Sequence, residues 1–134
     1  MSIVRALQDF FAGFDGMKLL TDHPDDATES YAIMPTGNGA IARDVIGGTA
    51  YQNTYVLYAS ESVQDEADRA AAHDLLERLQ DWIEEQACQG RFPKLPDPFQ
   101  VEELTASNGM LFDVMDNGLG LYQIQINMKF TRRN

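Results

Sequence analysis

The sequence predicts an α+β fold: a mostly antiparallel sheet with an N-terminal helix and a long central helix packed on one face. Three observations carry this. From Tyr122 to Phe130 the chain alternates without a break, with Tyr122, Ile124, Ile126, Met128 and Phe130 on one side of an extended strand and Gln123, Gln125, Asn127 and Lys129 on the other. From about Val63 to Gln89 the apolar residues instead recur at helical steps. The elements run helix, strands, helix, strands, with no repeat or interdomain linker, which makes residues 1–134 one domain with its helices segregated from its sheet.

The first element is a short amphipathic helix, about Ile3 to Phe14, whose Val4, Leu7, Phe10, Phe11 and Phe14 form one stripe. Gly13 and Gly16 weaken its end, and Asp22-His23-Pro24-Asp25-Asp26 reads as a polar turn. Ser30 to Met34 is a short strand stopped by Pro35-Thr36-Gly37-Asn38-Gly39, and Ala40 to Ile46 a second, ended by Gly47-Gly48. Thr49 to Ser60 is rich in Tyr, Thr and Val. Both its faces carry large apolar groups, Tyr51, Tyr55 and Leu57 against Val56 and Tyr58, so it belongs in the middle of the sheet.

Ser62, three residues before Asp65, gives a helix-starting pattern. The following helix places Ala72, Leu75, Leu76, Leu79, Trp82, Ile83 and Ala87 on one side, with Asp65–Arg69 and Asp74–Arg78 at pairing distance. Gly90 is its stop. Pro93, Pro96 and Pro98 keep Arg91 to Phe99 extended. The chain closes with a hairpin: Met110 to Met115, a turn through Asp116-Asn117-Gly118, then Leu121 to Thr131.

With 134 residues and 44% hydrophobic content the chain can bury a sizeable core. No apolar run approaches a membrane span, and Met1 to Leu20 lacks the pattern of a signal peptide, so a soluble product made in a cytoplasm is expected. Cys88 is the single cysteine, which excludes an intrachain disulfide and a cysteine-based zinc site. The net charge of -11 weighs against a sequence-independent grip on nucleic acid. The acidity is concentrated between Glu61 and Glu103, whereas Lys129, Arg132 and Arg133 reverse the sign at the C-terminus.

No catalytic motif stands out, and no cofactor, metal or catalytic residue is assigned. Gly37-Asn38-Gly39 and Gly47-Gly48 lack the spacing of a phosphate-binding loop. Asp22, His23, Asp25, Asp26 and Glu29 lack that of a calcium loop. His73 with Glu77 is spaced as a surface pair, and the neighbouring Glu84 and Glu85 point about 100° apart on a helix. A small hydrolase would need a pocket where His23 or His73 meets carboxylates. Trp82 reads as a core residue.

Three segments resemble a known family in the family's own order. They are Tyr51-Gln52-Asn53-Thr54-Tyr55-Val56-Leu57-Tyr58-Ala59-Ser60; Trp82-Ile83-Glu84-Glu85-Gln86 followed by Gly90 and Leu95-Pro96; and Leu111-Phe112-Asp113, a turn, then Tyr122-Gln123-Ile124-Gln125-Ile126. Together they span roughly Gly48 to Arg132 and resemble the small tail-terminator proteins, also termed minor capsid or tail-component proteins, of prophages and long-tailed phages of Gram-positive bacteria. The resemblance implies a virion assembly protein without enzymatic activity. It would form a homo-oligomeric ring, typically a hexamer, that caps the tail-tube protein and offers the head-tail connector a joining surface. It would act in the host cytoplasm during assembly and remain in the virion tail.

Two surfaces are the expected sites. Gln123, Gln125 and Asn127 suit a subunit or tube contact, because amides donate and accept hydrogen bonds and cost less to bury than charges; a solvated sheet face is the other reading. Asp74, Asp81 and Glu85 would face the channel or a docking partner, where an acidic wall repels passing DNA. A generic protein-binding adaptor of similar fold is the competing function class.

Overall fold

The computed structural model describes residues 3–22, 30–37, 40–43, 49–114 and 118–132, with only the backbone described at 40–43 and 108. The elements are α1 (Ile3–Phe11), β1 (Leu19–Thr21), β2 (Ser30–Gly37), β3 (Ala40–Arg43), β4 (Thr49–Ser62), α2 (Glu66–Cys88), β5 (Phe99–Val114) and β6 (Leu119–Arg132). The strands form one sheet in the order β1-β2-β4-β6-β5, with β3 also paired to β4. Every pairing is antiparallel except β1 with β2, so the sheet is mixed. The fold is α+β, as the element order predicts.

β4 lies in the interior of the sheet, as its two apolar faces predict. It carries β6 along one edge, from Thr49↔Arg132 to Ser62↔Leu119, and β2 and β3 along the other. The register puts Tyr51, Asn53, Tyr55, Leu57 and Ala59 of β4 beside Phe130, Met128, Ile126, Ile124 and Tyr122 of β6. These five β6 residues are all at 4% exposure or less. Against them pack Leu7 and Phe11 of α1 and Ala72, Leu76, Leu79 and Ile83 of α2, giving one continuous core. Burying such aliphatic and aromatic side chains contributes roughly 1.5–3 kcal/mol each.

Several expectations are corrected. Strand β4 continues to Ser62 because β6 extends far enough to pair with it, so the helix starts later, at Glu66. Its N-cap is Asp65, whose carboxylate accepts the Asp68 N–H at 2.8 Å; Ser62 Oγ instead donates to Asp68 at 2.7 Å. Arg69 turns back to donate to the Val63 carbonyl at 3.3 Å. Arg78 pairs across the fold with Asp15 at 3.3 Å rather than with Asp74. Gly90 does end α2: at φ +71° it turns the chain so that Arg91 N–H reaches the Gln86 carbonyl at 2.8 Å.

α1 stops at Phe11, earlier than its apolar stripe suggests, and Phe14 is buried from the turn that follows. β2 runs past Pro35 to Gly37 because a bulge accommodates the proline. The Leu19–Thr21 strand and the first half of β5, from Phe99, are additions that the sequence reading lacks. Of the expected turns, residues 23–26, 38–39, 47–48 and 116–117 lie outside the described residues, as do His23, Asp25, Asp26 and Glu29 of the acidic cluster.

Candidate functional site

Both helices cover the same face of the sheet, so the other face is bare of helix among the described residues. Along its middle runs the polar side of β6. Gln123 stands between Tyr58 of β4 and Met110 of β5, Gln125 between Val56 and Ser107, and Asn127 between Thr54 and Thr105. Gln125 is exposed, while Gln123 and Asn127 are half-buried by these neighbours. The amide row predicted from the alternation is therefore real. Its surroundings are less polar than β6 alone suggests, because Val56, Tyr58 and Met110 flank it.

β5 closes that side of the sheet as an edge strand, leaving one row of its backbone groups without a neighbouring strand among the described residues. Its last residues carry the large apolar groups most open to solvent among those described: Met110, Leu111, Phe112 and Val114 at 45%, 39%, 58% and 55% exposure. Phe112 leans over the bare face, its ring centroid 6.3 Å from that of Tyr58. Bulges at Ser107/Met110 and Leu111/Asp113 twist this end and break strict alternation, which is how apolar residues come to project to both sides. Edge strands are usually blunted by charge. Glu102 and Glu103 do so in the first half of β5, but among the described residues of this end Asp113 is the one charge, and one of its oxygens accepts the Val114 N–H at 2.9 Å.

Asp74, Asp81 and Glu85 are all exposed on α2, with steps of seven and four residues that align them on one outward stripe. The Glu85 carboxylate also accepts a hydrogen bond from the Gln89 amide. They stand on the helix side of the molecule, not beside the amide row, so the two expected sites are separate surfaces.

A third feature was not anticipated. The half-buried Trp82 is sandwiched by Phe10, Phe11 and Phe14 at ring distances of 5.0, 6.0 and 5.6 Å. It is thus only partly a core residue, and its free edge lines an open groove of about 850 Å³. Phe10, Phe92 and Phe99 add to the walls and Arg91 and Lys94 stand at the rim. The proline-rich segment after α2, read only as extended, is what builds this groove.

Several polar side chains of the described residues are engaged with one another. Tyr31 donates to Glu61 at 2.8 Å and Ser62 to Asp68 at 2.7 Å, beside a small hollow that Arg78 also lines. His73 packs edge-on against Tyr122 at 5.3 Å and forms no pair with Glu77. Burial raises the pKa of the Tyr55 phenol, partly offset by its hydrogen bond from Asn53. Burial also raises that of Tyr122, with Arg69 opposing and Glu61 adding to the shift. Among the described residues no group of histidine, cysteine or carboxylate side chains is arranged to hold a metal ion, and no helix is long and apolar enough to cross a membrane.

Compared with known proteins, the chain matches no family model and no curated protein.

Proposed function

We propose that this chain is a non-enzymatic phage or prophage assembly protein, a tail terminator that caps the tail tube and forms the surface to which the head connector joins. The observation that carries the reading is the bare sheet face. An amide row, Gln123, Gln125 and Asn127, is framed by Val56 and Tyr58 on one side and Met110 on the other, beside an apolar edge strand. Such a surface suits burial against protein: the aromatic and methionine groups supply apolar area, and the amides supply orientation through hydrogen bonds. The resemblance of the Tyr51–Ser60, Trp82–Pro96 and Leu111–Ile126 segments to tail terminators supplies the biological setting.

In this reading the acidic stripe of Asp74, Asp81 and Glu85 faces the DNA channel or the connector. Carboxylates there would keep a passing duplex from being held by its phosphates. The net charge of -11 is in keeping with a protein that must not retain DNA. A reconstruction of the assembled ring tests the assignment, and finding these three residues on its outer rim would overturn the channel role.

The reading is tested by mixing the purified chain with the tail-tube protein of the same genome and measuring mass by light scattering. Formation of a multimer of this chain, and its co-sedimentation with tubes, is expected. Tubes that pellet without it would favour the alternative, an adaptor that uses the same face for a different protein.

A further inference from the structure

Two surfaces of this molecule complement one another yet cannot meet within one copy. The first is the exposed end of β5, where Phe112 is 58% exposed and followed by the acidic Asp113. The second is the groove walled by Phe10, Trp82, Phe92 and Phe99, whose only charged lining residues are the cations Arg91 and Lys94. No ion pair occupies either cation among the described residues. In a chain of net charge -11, the charged lining of this aromatic groove is basic, with Asp9 reached only in the adjoining hollow that shares Phe10, Phe92 and Lys94.

Both features sit on the same strand. Phe99 opens β5 at the groove opposite Arg132 of β6, whereas Leu111, next to Phe112, lies opposite Tyr122, ten β6 positions further along and about 33 Å away at roughly 3.3 Å per residue. A copy therefore cannot fill its own groove with its own Phe112. A second copy can.

We propose that the β5 tip of one copy docks in the aromatic groove of the next, with Phe112 entering between Trp82 and Phe99 and Asp113 meeting Arg91 and Lys94. An exposed aromatic seated in an aromatic pocket with an arginine at its edge is the composition of an interface hot spot. The opposite charges at the rim fix its orientation. The contact is heterologous: each copy offers a tip and a groove on different surfaces, so association continues head to tail until the rotation between copies closes a ring. This deepens the assembly reading and rests on its claim that copies of this chain associate.

The test uses two variants of the full chain, each altered only at exposed positions. Phe112→Gln removes the tip and keeps the groove; Arg91→Glu with Lys94→Glu reverses the rim and keeps the tip. Sedimentation velocity is run to about 1 mM, where a contact with a millimolar dissociation constant is substantially populated. Wild type is expected to grow in mass with concentration, and each variant alone to associate at least tenfold more weakly. An equal mixture of the two variants is expected to form a two-chain particle, because the Phe112→Gln copy still supplies a groove and the rim variant still supplies a tip.

Association that survives both sets of substitutions overturns this contact and leaves the assembly reading standing. Loss with Phe112→Gln alone, the rim variant behaving as wild type, overturns it in favour of symmetric pairing of two β5 edges. If the rim variant loses only its binding to tail tubes, the groove belongs to the tube protein and the proposal fails. A wild type that stays monomeric throughout overturns both this contact and the self-association on which it rests.

Discussion

Asn53 and Tyr55, two positions apart on β4, are joined inside the core: the Asn53 amide donates to the Tyr55 phenol oxygen at 2.9 Å. Both side chains are nearly sealed from solvent, at 6% and 3% exposure. Each would otherwise be a polar group buried without compensation on the helix-covered face.

Removing one partner should therefore cost more than removing both. Asn53→Ala is expected to destabilise by about 1–3 kcal/mol, because it leaves the phenol unsatisfied, and adding Tyr55→Phe should recover part of that loss. Urea unfolding of the two single variants and the double variant measures the coupling. Strict additivity would contradict a shared buried hydrogen bond.

Tyr122 presents the opposite case, since its hydroxyl is buried with no hydrogen-bond partner among the described residues. Tyr122→Phe should leave stability unchanged or raise it by about 1 kcal/mol, because an unmet desolvation cost is removed while the ring contacts stay. Tyr122→Ala should lose about 3–5 kcal/mol through the cavity it leaves. A Phe variant as damaged as the Ala variant would show that the hydroxyl has a partner.

The same two phenols set an alkaline limit. Burial raises both pKa values above the ordinary 10.0 of a tyrosine, so the folded chain holds these protons more tightly than the unfolded one. Their contribution is complete below pH 10 and is lost as pH rises through that value toward the folded pKa values. The urea midpoint should fall above about pH 10, and less steeply in Tyr55→Phe and Tyr122→Phe. Equal slopes in all three chains would contradict the shift.

Two glycines of the hairpin should behave differently. A Cβ at Gly120 would lie 2.5 Å from Val63 Cγ1, a branched side chain fixed in the core, whereas at Gly109 it would meet the movable end of Gln80 at 2.9 Å. Gly120→Ala is expected to cost about 1–3 kcal/mol through overpacking, and Gly109→Ala distinctly less. Thermal unfolding compares them directly.

On the bare face, Gln125→Glu would place a carboxylate in the middle of the amide row, between Val56 and Ser107. Burying that charge in a protein contact is unfavourable, so assembly should weaken while monomer stability changes by less than about 0.5 kcal/mol. Unchanged oligomer size and tube capping would exclude this strip as the contact.

What was legible in the sequence follows from how each element is buried. β6 has one face wholly in the core, so its period of two is unbroken, and the apolar residues of α2 are selected by packing at period 3.6. β5 was only half legible because it is an edge. Glu102, Glu103 and Thr105 face solvent, and its bulges shift the phase of the remainder. β1 is only Leu19–Thr21, too short to show any period. The helical spacing of Asp74 and Arg78 was correct, yet the guanidinium found Asp15, which is distant in sequence and near in space. The amide row and the acidic stripe could be read as separate faces of separate elements. That an aromatic groove forms where α1, the end of α2 and the start of β5 converge depends on tertiary placement, which no local pattern encodes.

The most direct test of the central claim is the length of tail tubes, polymerised with and without this chain and viewed by electron microscopy. Short tubes, each closed at one end by a ring of this protein, are the expected result. Tubes of unchanged length with bare ends, at a chain concentration where the protein is itself multimeric, would contradict it.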